Sequence, residues 1–437
     1  MKFGGTSVGK PERMHQVAEL ITKEDEPTIV VLSALSGTTN ALVAIGEAMA
    51  NGDKPSAKQQ IDNLEAHYYS FIKDLVKSEK ALEKAKSIIT EHFEFLNIIL
   101  KISFSEALNK DILAQGELLS TKLFSVYLEE IGQPHSLLPA LEFMTIDSYD
   151  EPQVSSIKSK LEKLLKKNSD KKLFITQGYI SRNAKGEVDN LKRGGSDYSA
   201  SLIAAALNAR VCEIWTDIDG MHNNDPRVVK KTMPIEQMSF EEAAELAYFG
   251  AKILHPASIW PAQHYKVPVK LLNTMQPEAK GTLITEKAGS VGVKAVAAKD
   301  GIISINIKSS RMLLAYGFLR KIFEVFEKYR TSIDMVTTSE VAVSVTIDSV
   351  THLKDILKEL EPFGKITVEE NLTIVSVVGN EIVQTPDVLS KLFESLSAVP
   401  VQMVSYGGSK HNVSLLVPSS FKIQTLQLLN KGLFNLD

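Results

Sequence analysis

Cysteine is almost absent: Cys212 is the only one in 437 residues. One thiol cannot form an internal disulfide, so a reducing compartment is expected. Long apolar runs are missing too. Nothing approaches the roughly 18 consecutive apolar residues that a membrane-crossing helix needs. The N-terminus passes from one lysine straight to glycines, without the apolar core of a secretory signal. Excess positive charge is also lacking. A formal net charge of -4, with no basic stripe along the chain, excludes the electrostatic footprint of a nucleic-acid binder. These absences lead us to expect a soluble cytoplasmic protein with neither a membrane nor a nucleic acid as partner. What is present is ordinary for a globular chain, 44% hydrophobic and 23% charged. At roughly 100–200 residues per domain, the length suggests two to four domains.

The first two-thirds alternates apolar β-branched runs with helical patterns, which predicts an α/β sheet flanked by helices. Strands are expected at 28–33, 172–176, 211–216 and 267–272, and helices at 13–21, 113–131, 198–206 and 240–249. Residues from about 53 to 110 keep a helical apolar period with few turn residues. They predict a helical excursion attached to the sheet. Lys54-Pro55 and residues 168–171 are expected as solvated loops. His92 and Trp260 are expected in the core, and the lysine-rich 163–172 on the surface.

A different texture begins near Gly289. From Ile303 to about residue 371 the order strand, helix, strand, strand, helix, strand is expected, and it restarts at Leu372. The second copy runs out of chain before its sixth element. The unpaired strand pattern at 293–298 completes it, so the first copy reads as an insertion inside the second. The domain extents are therefore 1–288, then 303–371, then 292–302 together with 372–437. Two βαββαβ units fit the ferredoxin-like pattern, and the pair resembles a tandem of ACT domains. Such tandems imply a small effector bound between units; a purely dimerising role is the plainer alternative.

The N-terminal segment carries a decoy. Gly4 to Lys10 matches the start of a P-loop, but Pro11 follows where that motif needs a Ser or Thr hydroxyl. Proline fits better as a first-turn helix residue. A different phosphate cradle is read from Lys2-Phe3-Gly4-Gly5-Thr6-Ser7. Glycines let backbone N–H groups approach phosphate oxygens, and Lys2 adds a point charge where a transferred phosphoryl group is most negative. A second small-residue loop follows the strand ending at Ser33 and runs through Thr39. A third, Arg193-Gly194-Gly195-Ser196-Asp197, opens a helix, where an anion is favoured, and Arg193 offers a fork suited to a carboxylate. Asp197 is either an acidic member of the site or a helix cap. A fourth loop runs from Thr216 to Arg227, and either holds a nucleotide or simply turns. A fifth spans Phe249 to Pro256.

Taken in order, KFGGTSV, VVLSALSGTTN, QGELLST, RGGSDYSA, WTDIDGMHNNDPR, FGAKILHP and TSEVAVS resemble the aspartokinases, which are members of the amino acid kinase family. The resemblance covers essentially the whole chain and is closest to the monofunctional, lysine-sensitive bacterial type. The homoserine dehydrogenase half of the bifunctional enzymes has no counterpart in the sequence. The resemblance implies an amino acid kinase-like open sheet followed by two ACT domains, ATP with Mg²⁺, and L-aspartate as acceptor. It implies that Lys2, Phe3, Gly4 and Gly5 meet the ATP phosphates, Lys2 also acting in the transition state with Asp197. Thr216, Asp217, His222, Arg227, Lys252 and Ile253 would line the nucleotide site, and no side chain would ligate the metal directly. Ser33, Thr39, Glu117, Arg193, Gly194, Gly195 and Ser196 would hold aspartate, Glu117 taking its ammonium and Arg193 its α-carboxylate. The pattern departs from the family at Lys192, usually glycine, and at His222, usually tyrosine. The sequence starts one residue before Lys2, so an unusually short first strand is expected, with room for further residues upstream.

For regulation, the same resemblance implies lysine as inhibitor, bound by Met312, Ala315, Gly317, Phe318, Leu319, Asp334, Ser339, Glu340 and Val341. Asp334 and Glu340 suit an ammonium group. Ala315 and Tyr316 depart from the commonest version of this site, so threonine, or no effector, stays open. A homodimer paired through the ACT domains is the expected assembly. Rival readings are a related kinase acting on glutamate, acetylglutamate or a nucleotide, and an inactive amino-acid sensor. A carboxylate acceptor is already ionised near neutral pH and needs no general base, which fits the absence of a kinase-like H-R-D segment.

Overall fold

The computed structural model describes all residues except 24, 192–193, 251–253, 288, 310–311, 313–315 and 437. The chain forms two compact units, Met1–Met221 with Leu254–Glu286, and His222–Ile253 with Lys287–Asp437.

In the first unit a sheet runs in the order Ser136–Leu138, Leu173–Gln177, Thr28–Leu32, Lys2–Phe3, Cys212–Thr216 and Val269–Asn273, all parallel, followed by antiparallel Thr282–Thr285. The near-continuous apolar runs of these strands are what parallel strands covered on both faces require. The two-residue strand at Lys2 and Phe3 lies in the middle. Lys2 is registered between Val31 and Ile214, and Phe3 between Leu32 and Trp215. Phe3 is fully buried and stacks on Trp215 at 5.7 Å. The short strand is thus held from both sides by longer neighbours.

Pro11 opens the helix Pro11–Thr22, as expected. The helical excursion is the pair Lys54–Leu75 and Glu79–Ile99, packed with the long helix Glu106–Glu130. Side chains of Asp53, Ser78 and Ser105 cap the three N-termini. Lys54-Pro55, expected as a loop, lies inside the first turn, because a proline there forfeits only an N–H that has no helical partner. Tyr68 and Phe93 are fully buried, with rings 5.9 Å apart. Each such ring stabilises the pair by about 2–3 kcal/mol. His92 is buried as expected, but Trp260 is 54% exposed and stacks on His264 one turn along the helix Pro256–His264. Its ring is covered locally by a neighbour on the same helix rather than by the core.

The second unit is built on a six-stranded sheet in the order Val336–Thr338, Ala342–Ile347, Gly292–Lys308, Lys365–Asn380, Asn412–Pro418 and Met403–Ser405. The strands expected separately at 293–298 and from Ile303 are one long strand, as are those at 366–369 and from Leu372. These two long strands pair antiparallel, with register shifts between Lys299 and Ser304. Beyond that irregularity the first half of one strand meets the second half of the other. Each half therefore belongs to a different set of four strands. The helices Phe318–Lys328 and Leu353–Leu360 cover one set, and Val388–Ser395 and Lys422–Phe434 the other, each over its own apolar cluster. Residues 222–253 pack with this unit, although sequence order assigns them to the N-terminal extent 1–288. Asn223 Nδ2 donates to Asn430 Oδ1 at 3.1 Å, Asn224 Nδ2 to the Leu426 carbonyl at 3.0 Å, and Lys294 pairs with the fully buried Glu242 at 2.8 Å. Polar partners so far apart along the chain leave no trace in local patterning.

Candidate active site

Five loops of the first unit leave the carboxyl ends of adjacent parallel strands, where open α/β sheets bind ligands. They begin at Gly4, Ser33, Gly178, Asp217 and Thr274. Lys2 is nearly buried, and its Nζ lies 2.7 Å from Asp197 Oδ1, as an ion pair rather than an aligned hydrogen bond. Asp197 sits in the first turn of the helix Gly195–Leu207, whose N-cap is Gly194. It is therefore not the cap, and its carboxylate is turned to the lysine. Gly194 and Gly195 have φ of 65° and 51°, a left-handed stretch that favours glycine. Gly4 matters for another reason: a Cβ there would stand 3.3 Å from Lys2 Nζ.

The acceptor side is a continuous chain of contacts. Ser33 Oγ donates to Ser196 Oγ at 2.9 Å, and the Ala34 N–H donates to Glu117 Oε1 at 3.3 Å. Ser120 Oγ, on the same helix as Glu117, donates to the Ser33 carbonyl at 2.8 Å. Gly116 allows this approach, since a Cβ there would fall 2.7 Å from that of Ala34. Glu117 is 4% exposed, and its Oε2 has no hydrogen-bond partner among the described residues. Burial pushes its carboxyl up to about 7, the Ala34 N–H opposing part of the effect. Thr39 is exposed, whereas its neighbour Thr38 is buried against the Tyr68 hydroxyl at 3.1 Å. Thr216 Oγ1 donates to Asp217 Oδ1 at 3.1 Å at the end of the strand Cys212–Thr216. Lys2, Phe3, Gly4, Gly5, Ser33, Thr39, Glu117, Gly194, Gly195, Ser196, Asp197, Thr216 and Asp217 all belong to this unit, and contacts link Lys2 to Asp197, Ser33 to Ser196, and Ala34 to Glu117. Arg193, Lys252 and Ile253 lie outside the described residues.

His222 and Arg227 belong to the second unit. His222 Nδ1 is 2.7 Å from Thr232 Oγ1, and Arg227 is held by a two-pronged bond to Asp225. Of the expected effector residues, Ala315 lies outside the described residues. Gly317 caps the helix Phe318–Lys328 in the left-handed region, and Ser339, Glu340 and Val341 form an exposed turn. The Asp334 carboxylate is already engaged: Lys299 Nζ lies 2.7 Å from Oδ1, and Tyr248 donates to the same oxygen at 2.8 Å. Neither Lys299 nor Tyr248 stands out in the sequence, because each meets Asp334 only through sheet and helix packing. Tyr179 also passes unnoticed. It holds φ of 65°, its ring lies 3.8 Å from where a Gly195 Cβ would stand, and its phenol is pushed up by burial and by the charge of Glu117. Among the described residues no cluster of three His, Cys, Asp or Glu side chains could hold a metal ion.

Residues 1–273 match the model of the amino acid kinase family, and residues 375–433 match an ACT domain. Lysine-sensitive aspartokinase 3 of Escherichia coli is 33% identical over 445 residues, covering 99% of this chain and 98% of that protein. Two solved structures of E. coli aspartokinase III align over 99% of this chain. The complex with aspartate and ADP (R-state) has a TM-score of 0.83 at 32% identity over 99% of its own length. The complex with lysine and aspartate (T-state) has a TM-score of 0.81 at 33% identity over 98%. With the kinase model spanning more than half of its length and a relative matched end to end, the chain belongs to the amino acid kinase family, as an aspartokinase.

Proposed function

We propose that the residues gathered around Lys2 and Glu117 transfer the γ-phosphoryl group of ATP to the β-carboxylate of L-aspartate, giving 4-phospho-L-aspartate and ADP. The observation that carries the acceptor assignment is Glu117, a buried carboxyl with one oxygen unpartnered among the described residues. An isolated buried carboxylate is costly unless a cation meets it, and the α-ammonium of aspartate is such a cation. Ser33, Thr39, Arg193 and the Gly194–Ser196 turn would hold the two carboxylates. One oxygen of the β-carboxylate forms the new bond to the γ-phosphorus while the bond to the ADP oxygen breaks. No proton has to be removed. The difficulty is bringing an anion up to a triphosphate, which calls for positioning and positive charge. Lys2 supplies that charge, and Asp197 holds its ammonium in place. Phe3, Gly4 and Gly5 would lie along the phosphates, with Thr216, Asp217, His222, Arg227, Lys252 and Ile253 about the nucleotide. Mg²⁺ would come with the nucleotide and offset its phosphate charge, and Asp197 would reach it through water.

Lysine is the proposed inhibitor, supported by the lysine-bound E. coli structure and by Asp334 and the exposed Ser339–Val341 turn. A homodimer through the ACT region is the proposed assembly, and the domain extents 1–288, 303–371, and 292–302 with 372–437 are proposed on the half-strand pairing described above. A coupled ADP-release assay should show turnover with L-aspartate at a kcat/KM far above that with L-glutamate. Equal rates with both would remove the acceptor assignment. Lys2→Ala should lower kcat by roughly 10²–10³ with little change in KM for aspartate. A near-normal kcat would end the role given to Lys2.

A further inference from the structure

We propose that Lys110 and Asp189 are a positioning pair for the acceptor site, tying the aspartate-carboxylate loop to the helix that carries Glu117. The inference rests on the aspartate kinase reading and adds to it what sets acceptor length.

Lys110 Nζ lies 2.6 Å from Asp189 Oδ2, and the Asp189 side chain is 3% exposed against 26% for Lys110. Lys110 and Glu117 lie on the same helix, Glu106–Glu130, two turns apart. At 3.6 residues per turn this places them on one face, about 10 Å apart along the axis. Asp189 belongs to the strand Val188–Asn190, which precedes the turn at Gly194 in the chain. Its other oxygen accepts the Asn190 N–H at 2.7 Å, so both oxygens are used.

From there a closed ring of contacts returns to the site. The Leu191 N–H donates to the Tyr179 carbonyl at 2.7 Å, and the Tyr179 N–H donates to Ser199 Oγ at 2.8 Å. The Leu191–Tyr179 bond closes the end of the hairpin made by Ile180–Arg182 and Val188–Asn190. Tyr179 is held in the left-handed region at φ 65°, a conformation that costs a non-glycine residue energy and persists only where its surroundings enforce it. Its ring lies beside Gly195, where a Cβ would stand 3.8 Å from the ring. Ser199 lies on the helix that Gly194 caps. The hairpin, Tyr179 and the helix that Gly194 caps are therefore linked by hydrogen bonds, and Lys110–Asp189 ties the hairpin to the Glu117 helix.

The consequence is geometric. One end of the acceptor, its ammonium, is assigned to Glu117, and its carboxylates are assigned to the loop that follows Asp189. With both ends referenced to one rigid helix, the span between them is set, and a four-carbon dicarboxylate is preferred over a five-carbon one. Lys110 and Asp189 touch no reacting atom; they act through Tyr179 and the turn.

Steady-state kinetics on the full chain tests this. Asp189→Asn and Lys110→Met should each raise KM for aspartate about tenfold, as expected for misplacement of a binding group by a fraction of an ångström. KM for ATP should stay within about twofold, and the ratio of kcat/KM for aspartate over glutamate should fall by a similar factor to the rise in KM for aspartate. Lys110→Arg, which keeps the pair, should retain the wild-type KM. Should Asp189→Asn fail to fold, Lys110→Met remains, since its partly exposed alkyl chain keeps its packing. A KM for aspartate that does not change, or one that changes in parallel with KM for ATP, overturns the proposal. So does a Lys110→Arg variant as impaired as Lys110→Met. Absence of aspartate-dependent ADP release in the wild type would instead count against the acceptor assignment, and is read before any variant is made.

Discussion

Glu117 shows how a functional residue works against the stability of its own fold. Its carboxyl titrates at about 7 because burial disfavours the charged form. A carboxyl whose folded value is raised binds its proton more tightly in the folded state. The stability this contributes is full below the unfolded value near 4.5 and is lost as pH rises through about 7. The difference is on the order of 3 kcal/mol. Glu117→Gln should therefore melt at a higher temperature than the wild type at pH 8 and at nearly the same temperature at pH 4, measured by thermal denaturation. The same variant should raise KM for aspartate by roughly 10- to 100-fold, the worth of one charged hydrogen bond. In the wild type, kcat/KM for aspartate should decline as pH falls below about 7, where Glu117 takes up its proton. Of the site residues, Lys2, Glu117 and Asp197 were legible because their residue types match the chemistry and stand beside glycines or in quoted motifs. Lys110, Asp189 and Tyr179 were not, since their meaning lies in partners 79 residues away or in a backbone angle.

At the scale of elements, the site is made by close approach. Gly178 ends the strand Leu173–Gln177, and a Cβ there would stand 2.3 Å from Ser196 Oγ and 2.8 Å from Ser196 Cα. The second of these atoms is backbone, so the helix Gly195–Leu207 cannot keep its place if Gly178 gains a side chain. Gly178→Ala should cost about 1–3 kcal/mol of stability, the usual penalty for overpacking. It should also raise KM for aspartate, because Ser196 and its bond to Ser33 would be displaced. Unchanged KM in a stable variant would show that the approach of strand and helix does not shape the acceptor site. The strands expected in the first unit were readable from apolar periodicity to within a few residues, whereas the helix expected at 113–131 starts seven residues earlier, at Glu106. The fusion of strands in the second unit was not: the patterns at 293–298 and from Ile303 look like two strands, because the intervening Lys299-Asp300-Gly301 interrupts the apolar run. In the fold this segment is a register irregularity inside one continuous strand.

For the whole molecule, the open matter is how the ACT region answers to an effector. Asp334 carries the charge expected to receive lysine, yet Lys299 and Tyr248 already meet it, with the Lys299 ammonium 4.5 Å from the Tyr248 ring centre. Asp348 lies 2.9 Å from the same ammonium. An arriving ammonium group thus competes with an internal one. Millimolar lysine is expected to inhibit aspartate-dependent ADP release, and Lys299→Met is expected to lower the lysine concentration needed by about tenfold, the worth of one partly buried charge contact. Insensitivity of both proteins to lysine would remove lysine as the effector.

By itself, the sequence determined the kind of chemistry and the order of the parts. Glycine-rich turns after apolar strands, a lysine at the first of them and two βαββαβ periods are local patterns, and local patterns follow from residue type and spacing. Tertiary structure decided what those parts touch. It set Lys2 against Asp197, buried Glu117 with one oxygen unpartnered among the described residues, and packed residues 222–253 with the second unit. The reason is physical: burial, ion pairing and the titration of a carboxyl depend on neighbours in space, and those neighbours are tens to hundreds of positions away along the chain.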